Sequence, residues 1–99
     1  MTDFAERTFQ AHRGLLFTLA YDIVGSVADA EDVVQETWLR WAEVDHSRIE
    51  RARAYLTRIA VREALRRLRI ARQARERYTG PWLPEPLRPA SGSPDALEG

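Results

Sequence analysis

The densest chemistry in this sequence is cationic. Between residues 51 and 79 stand ten arginines and only two glutamates, whereas residues 1–50 carry ten acidic side chains and four arginines. The chain's net charge is zero, so that balance conceals two halves of opposite sign. Such asymmetry points to charged partners more strongly than the total does. Arg51, Tyr55, Arg58, Arg62, Arg66 and Arg69 recur at three- and four-residue steps, which places them along one stripe of a helix. Neighbouring like charges there repel by a few tenths of a kcal/mol per pair, and Glu63 at the stripe's edge relieves part of that. A stripe of arginines with an aromatic ring inside it suits a polyanion, guanidinium groups neutralising phosphates while a ring stacks on an unpaired base. The alternative is that acidic residues of the first half pair with these arginines inside the fold.

A second surface carries the opposite character. Asp32, Gln35, Glu36, Leu39 and Arg40 share one side of a helical wheel, facing away from Ala30, Val34, Thr37, Trp38 and Trp41. A hydrogen-bonding, acidic stripe centred on a leucine is a candidate docking face, and equally a plain solvated one.

Catalytic constellations are missing. His12 lies on an apolar helix face and reads as a core or half-buried histidine, while His46 beside Asp45 lacks the neighbours of a metal site or a general base. Glu31, Asp32 and Glu36 sit on a solvent-facing helix without a pocket. There is no Gly-rich phosphate loop and no nucleophile elbow. The absence of cysteine removes disulfides, thiolate metal sites and thiol catalysis together. The expectation is a protein that is not an enzyme, with no cofactor and no metal.

Three helices must position these residues. Phe9, His12, Leu15, Leu16, Leu19 and Ile23 give the first its amphipathic period, with Thr2 or Asp3 as its cap and Gly25 as its end. The second opens at Ser26, with Asp29 at capping-box spacing, and runs to about Ala42. Val44–Glu50 has no helical period and reads as a loop. The third spans about Arg53 to Arg77 and buries Leu56, Ile59, Ala60, Ala64, Leu68 and Ala71. No strand alternation appears, so the expected fold is all-α, a small three- to four-helix bundle. Residues 1–79 form its domain. Residues 80–99 hold all five prolines and read as an extended Pro/Gly-rich linker. No apolar run reaches the length of a membrane span and the N-terminus has no signal-peptide character, so a cytoplasmic location is expected.

The run Asp29-Ala-Glu-Asp-Val-Val-Gln-Glu-Thr-Trp-Leu-Arg40 resembles region 2.2 of extracytoplasmic-function (ECF) sigma factors, bacterial transcription initiation proteins. Leu19–Gly25 and Arg53–Ala60 are similar to neighbouring parts of that family. Tyr78-Thr-Gly-Pro-Trp-Leu-Pro-Glu-Pro86 resembles the WLPEP linker of its SigJ-like subgroup, in which a SnoaL-like domain follows the usual DNA-binding domain. The resemblance implies a sigma-70 region 2-like fold whose second helix docks on the β′ clamp helices of RNA polymerase through Asp32, Gln35, Glu36, Leu39 and Arg40. It further implies that the loop and third helix capture the non-template strand of the −10 promoter element, melting it. Arg53, Tyr55, Arg58 and Arg62 carry over by position, beside Arg51, Arg66 and Arg69 of the stripe. An anti-sigma factor, or the C-terminal domain that the resemblance places after the linker, is a further candidate partner. Where the family usually has Asp, this chain has Arg66, which on this reading strengthens the phosphate-binding stripe. The family's region 4, which reads the −35 duplex, is not among these 99 residues. The competing readings are a helical protein-interaction module, in which the arginine stripe would be idle, and a duplex-binding regulator, against which the long 42–53 connection argues.

Overall fold

The computed structural model describes residues 3–79. They form three α-helices, α1 (Phe4–Val24), α2 (Val27–Ala42) and α3 (Ala52–Thr79), with a single 3₁₀ turn, His46–Arg48, between the last two. All three helices pack on one another around one core.

Local chemistry sets the boundaries. The Asp3 carboxylate accepts a hydrogen bond from the Glu6 N–H at 2.9 Å, satisfying one of the free donors of the first turn of α1. Thr2, the other candidate cap, lies outside the described residues. Ser26 does the same for α2, its hydroxyl accepting from the Asp29 N–H at 3.0 Å. Between them Gly25 adopts a left-handed φ of 79° and donates its N–H to the Tyr21 carbonyl at 2.8 Å, closing α1. The short corner folds α2 back along α1. A Cβ at Gly25 would meet no atom within 4 Å, so a side chain there costs backbone strain alone. Gly25→Ala is therefore expected to lower the unfolding free energy by about 1 kcal/mol, read from urea denaturation with an unchanged m-value.

The core draws on each helix in turn: Phe9, Leu16 and Ala20 from α1, Ala30, Val33, Val34 and Trp41 from α2, Leu56, Ala60 and Ala64 from α3. Small residues on α3 let its backbone approach, and large ones on α2 fill the space. Trp38 is only half-buried, its ring tilted against Phe9 at 5.3 Å. Thr37 is fully buried and donates its hydroxyl to the Val33 carbonyl at 2.8 Å, so that hydroxyl is not stranded.

Two expectations about α3 are corrected. Ala71 is exposed, as is every residue from Arg69 to Tyr78, because α1 turns at Gly25 and leaves the far end of α3 without a neighbour to pack on. Glu63, expected at the edge of the cationic stripe, is buried, with 4 % of its surface accessible. It lies seven residues after Leu56, two helical turns, and so falls on the core-facing side. His12 is half-buried, as its place on the apolar face of α1 suggests, and its Nδ1 lies 2.9 Å from the Thr8 carbonyl. No helix among the described residues is long and apolar enough to cross a membrane. The proposed linker, 80–99, lies outside the described residues.

Candidate nucleic-acid and protein interfaces

The 42–53 connection is tied down from both sides. Asp45 caps the 3₁₀ turn, its Oδ1 accepting from the Ser47 N–H at 3.1 Å and from the Ser47 hydroxyl at 2.6 Å. His46 donates from Nε2 to the Trp41 carbonyl at 2.7 Å, since a carbonyl can only accept, and its ring meets the Trp41 indole edge-on at 4.4 Å. The imidazole is thereby committed to closing the C-terminus of α2. Trp41 in turn donates Nε1–H to the Ala5 carbonyl at 2.8 Å. The loop thus enters α3 in one geometry, anchored on the core.

Just before α3 and along it, the guanidinium groups of Arg51, Arg53, Arg58, Arg62 and Arg69 stand exposed and make no ion pair or hydrogen bond with the rest of the described chain. The field of that surface is therefore uncompensated, which is what a polyanion site requires. Two members of the expected set differ. Arg66 places Nε 3.2 Å from the Glu63 carboxylate, so its charge is partly neutralised from within its own helix. Tyr55 is half-buried, its ring packed against Trp41 with centroids 5.9 Å apart. The ring that the sequence nominates for stacking on a base is in part a core contact.

On α2 the five expected docking residues share one face, and their engagement varies. Gln35 and Leu39 are exposed and have no polar partner, Leu39 with 47 % of its surface open to water. Asp32 accepts from Arg67 at 2.9 Å, and Arg67 also lies 3.6 Å from Asp29. Glu36 sits 3.6 Å from Arg40, an i,i+4 pair. Arg40 reaches past it to the buried carboxylate of Glu63, Nε to Oε2 at 2.6 Å. These are the internal pairings that the sequence leaves open. They take up Arg66 of the stripe, and Arg67 beside it, and spare the stripe's other arginines. The Arg40–Glu63–Arg66 cluster was legible only as isolated charges, because its members come from two helices and the acid is hidden between them.

A model of the Sigma-70 region 2 family matches residues 8–75, a span that contains all of α2 and the connection, and most of α1 and α3. The chain belongs to that family. It is also similar to the ECF RNA polymerase sigma factor SigJ of Mycobacterium tuberculosis (strain ATCC 25618 / H37Rv), with 48 % identity over 89 residues, 90 % of this chain. The chain spans 28 % of that relative's length. No solved structure matches. Sigma factors are transcription initiation factors. The all-helical bundle is the fold expected of a sigma region 2, and the cationic α3 and mixed α2 faces become its two candidate contact surfaces.

Proposed function

We propose that this region 2 domain docks on the β′ clamp helices of RNA polymerase through the exposed face of α2 and captures the displaced non-template strand of the −10 promoter element along α3. The observation that carries this reading is the contrast between the two faces. Along the start of α3 and the stripe that follows, Arg51, Arg53, Arg58, Arg62 and Arg69 have no partner within the described chain, and on α2 Gln35 and Leu39 have none either. Leu39 offers an apolar anchor and Gln35 both a donor and an acceptor. Asp32 and Glu36 flank them, each carboxylate retaining lone pairs beyond its internal arginine, and steer a basic coiled coil into register. On α3, phosphate neutralisation supplies sequence-independent affinity, and it must help offset the few kcal/mol that unstacking a promoter base costs. An anti-sigma factor or a following domain of the same protein is a natural competitor for the α2 face.

The test is binding of the chain to an isolated β′ clamp-helix fragment, with wild type compared against Gln35→Ala/Leu39→Ala. Both side chains are exposed, so the fold should survive the change with a stability effect within about 0.5 kcal/mol. The double variant is expected to bind at least about ten-fold more weakly, the loss of a modest hot spot. Equal binding by both proteins would move the docking face away from α2.

A further inference from the structure

The far end of α3 runs past the bundle, and no described residue covers its apolar face. The period that buries Ala60 and Ala64 continues through Arg67, Ala71, Ala74 and Tyr78 at alternating three- and four-residue steps, yet every residue from Arg69 to Tyr78 is exposed. Where this face leaves the α1–α2 corner it opens a hollow of about 200 Å³, walled by Val24, Leu68, Ile70 and Ala71, with Asp29 and Arg67 on its rim. That volume lies below the ~300 Å³ at which small-molecule pockets begin, and suits a side chain rather than a ligand. We infer that the chain's own segment 80–87 folds back along this face, with Trp82 in the hollow, Leu83 beside it on Ile70, and Glu85 among the arginines of the helix end. The inference goes beyond the polymerase and DNA contacts and does not depend on them.

Reach, chemistry and charge support this occupant. Gly80 and Pro81 follow Thr79 directly, residue types that end a helix and turn the chain. From Thr79 back to Ile70 is about 13 Å at the rise of an α-helix, and the residues 80–83 span about 13 Å when extended. Leu83 therefore returns to the level of Ile70, with Trp82 a step behind it. These two are the first large apolar residues after the helix. Residues 80–99 carry Glu85, Asp95 and Glu98 against Arg88 alone, whereas residues 69–77 carry Arg69, Arg72, Arg75 and Arg77 against Glu76. Like charges three residues apart, Arg69 with Arg72 and Arg72 with Arg75, weaken a helix end that has no packing of its own. An acidic segment with an aromatic anchor supplies both the missing packing and the missing charge. A second copy offering the same face would set cations against cations.

The wild-type sequence has no cysteine, so an engineered pair can trap the contact without a competing thiol. In the full chain, Ala71→Cys/Leu83→Cys is expected to close an intramolecular disulfide about ten-fold faster than Gln73→Cys/Leu83→Cys under mild oxidation. Gln73 lies on the opposite side of α3 at nearly the same tether length, so the comparison reads the face and not the proximity of the chain. A second measurement leaves α3 untouched. Trp82→Ala/Leu83→Ala is expected to speed amide hydrogen exchange across residues 70–78 by about ten-fold and leave residues 27–64 unchanged. Neither changed side chain belongs to the bundle core, so loss of the fold does not mimic that result. Equal trapping rates in the two cysteine pairs, or exchange at 70–78 that ignores the tail substitutions, overturns the inference. Should Ala71→Cys alone form a disulfide-linked dimer as readily as the double variant closes its bridge, the face belongs to a second copy and the inference falls. The proposed polymerase and DNA contacts stand in either event, since none of the changed residues belongs to them.

Discussion

Trp41→Ala is expected to lower the unfolding free energy by about 4 kcal/mol, a large part of the 5–15 kcal/mol typical of a small domain. Trp41 has no accessible surface and is the largest fully buried side chain among the described residues. Its role extends beyond volume. The indole N–H holds the Ala5 carbonyl near the start of α1, its backbone carbonyl receives His46 Nε2, and its ring packs against His46 and Tyr55. One side chain therefore joins both ends of the 42–53 connection to the N-terminal helix. Trp41→Phe keeps most of the apolar burial and removes the indole donor, leaving the half-buried Ala5 carbonyl without that partner, so a smaller loss of about 1–2 kcal/mol is expected. Urea denaturation followed by far-UV circular dichroism gives both values. If the alanine variant lost less than 2 kcal/mol, the connection would have to be held by contacts other than Trp41.

What the sequence made legible follows the range of the interaction involved. The caps at Asp3 and Ser26 and the stop at Gly25 act within three or four residues, and residue type alone announces them. The core face of α2 is equally plain, since Ala30, Val34, Thr37 and Trp41 follow the helical period without interruption. Prediction weakened where an outcome depended on a neighbouring helix. Ala71 has the right phase to be buried and is exposed, because burial also needs a partner and α1 ends at the Gly25 corner. Tyr55 has the right phase for the cationic stripe, yet part of its ring goes to Trp41, fourteen residues away through an irregular connection. In the candidate interfaces, the exposure of Arg51, Arg58, Arg62 and Arg69 was legible from periodicity, whereas Arg53 was named only by the family resemblance. That Arg66 and Arg40 share one buried acid was not, because a charge on a buried helix face is read from sequence as a surface residue.

That shared acid leads to the second large effect. Both oxygens of Glu63 are engaged, Oε2 by Arg40 at 2.6 Å and Oε1 by Arg66 at 3.2 Å, while the two arginine side chains remain about half open to water. The cost of removing a member is therefore unequal. Arg40→Ala strips the shorter contact from a buried carboxylate, and an expected loss of about 2 kcal/mol follows. This is below the 3–5 kcal/mol of a fully buried broken pair, because Arg40 is partly solvated and Arg66 stays in place. Glu63→Leu instead replaces a desolvated charge by an apolar group on a core face and releases two arginines that water can solvate. Its expected effect on stability is near zero or favourable. Arg40→Ala on the Glu63→Leu background should then cost almost nothing, a coupling of about 2 kcal/mol in the double-mutant cycle. A Glu63→Leu protein as unstable as Arg40→Ala would show that the carboxylate is a net stabiliser of the bundle. The same cycle bears on polymerase docking, for which Arg40 was nominated by its place on the α2 face. Weak clamp-fragment binding by Arg40→Ala alone could arise from a strained α2–α3 interface. If binding is still lost when Arg40 is removed from the Glu63→Leu protein, where nothing buried depends on it, the guanidinium itself touches the polymerase.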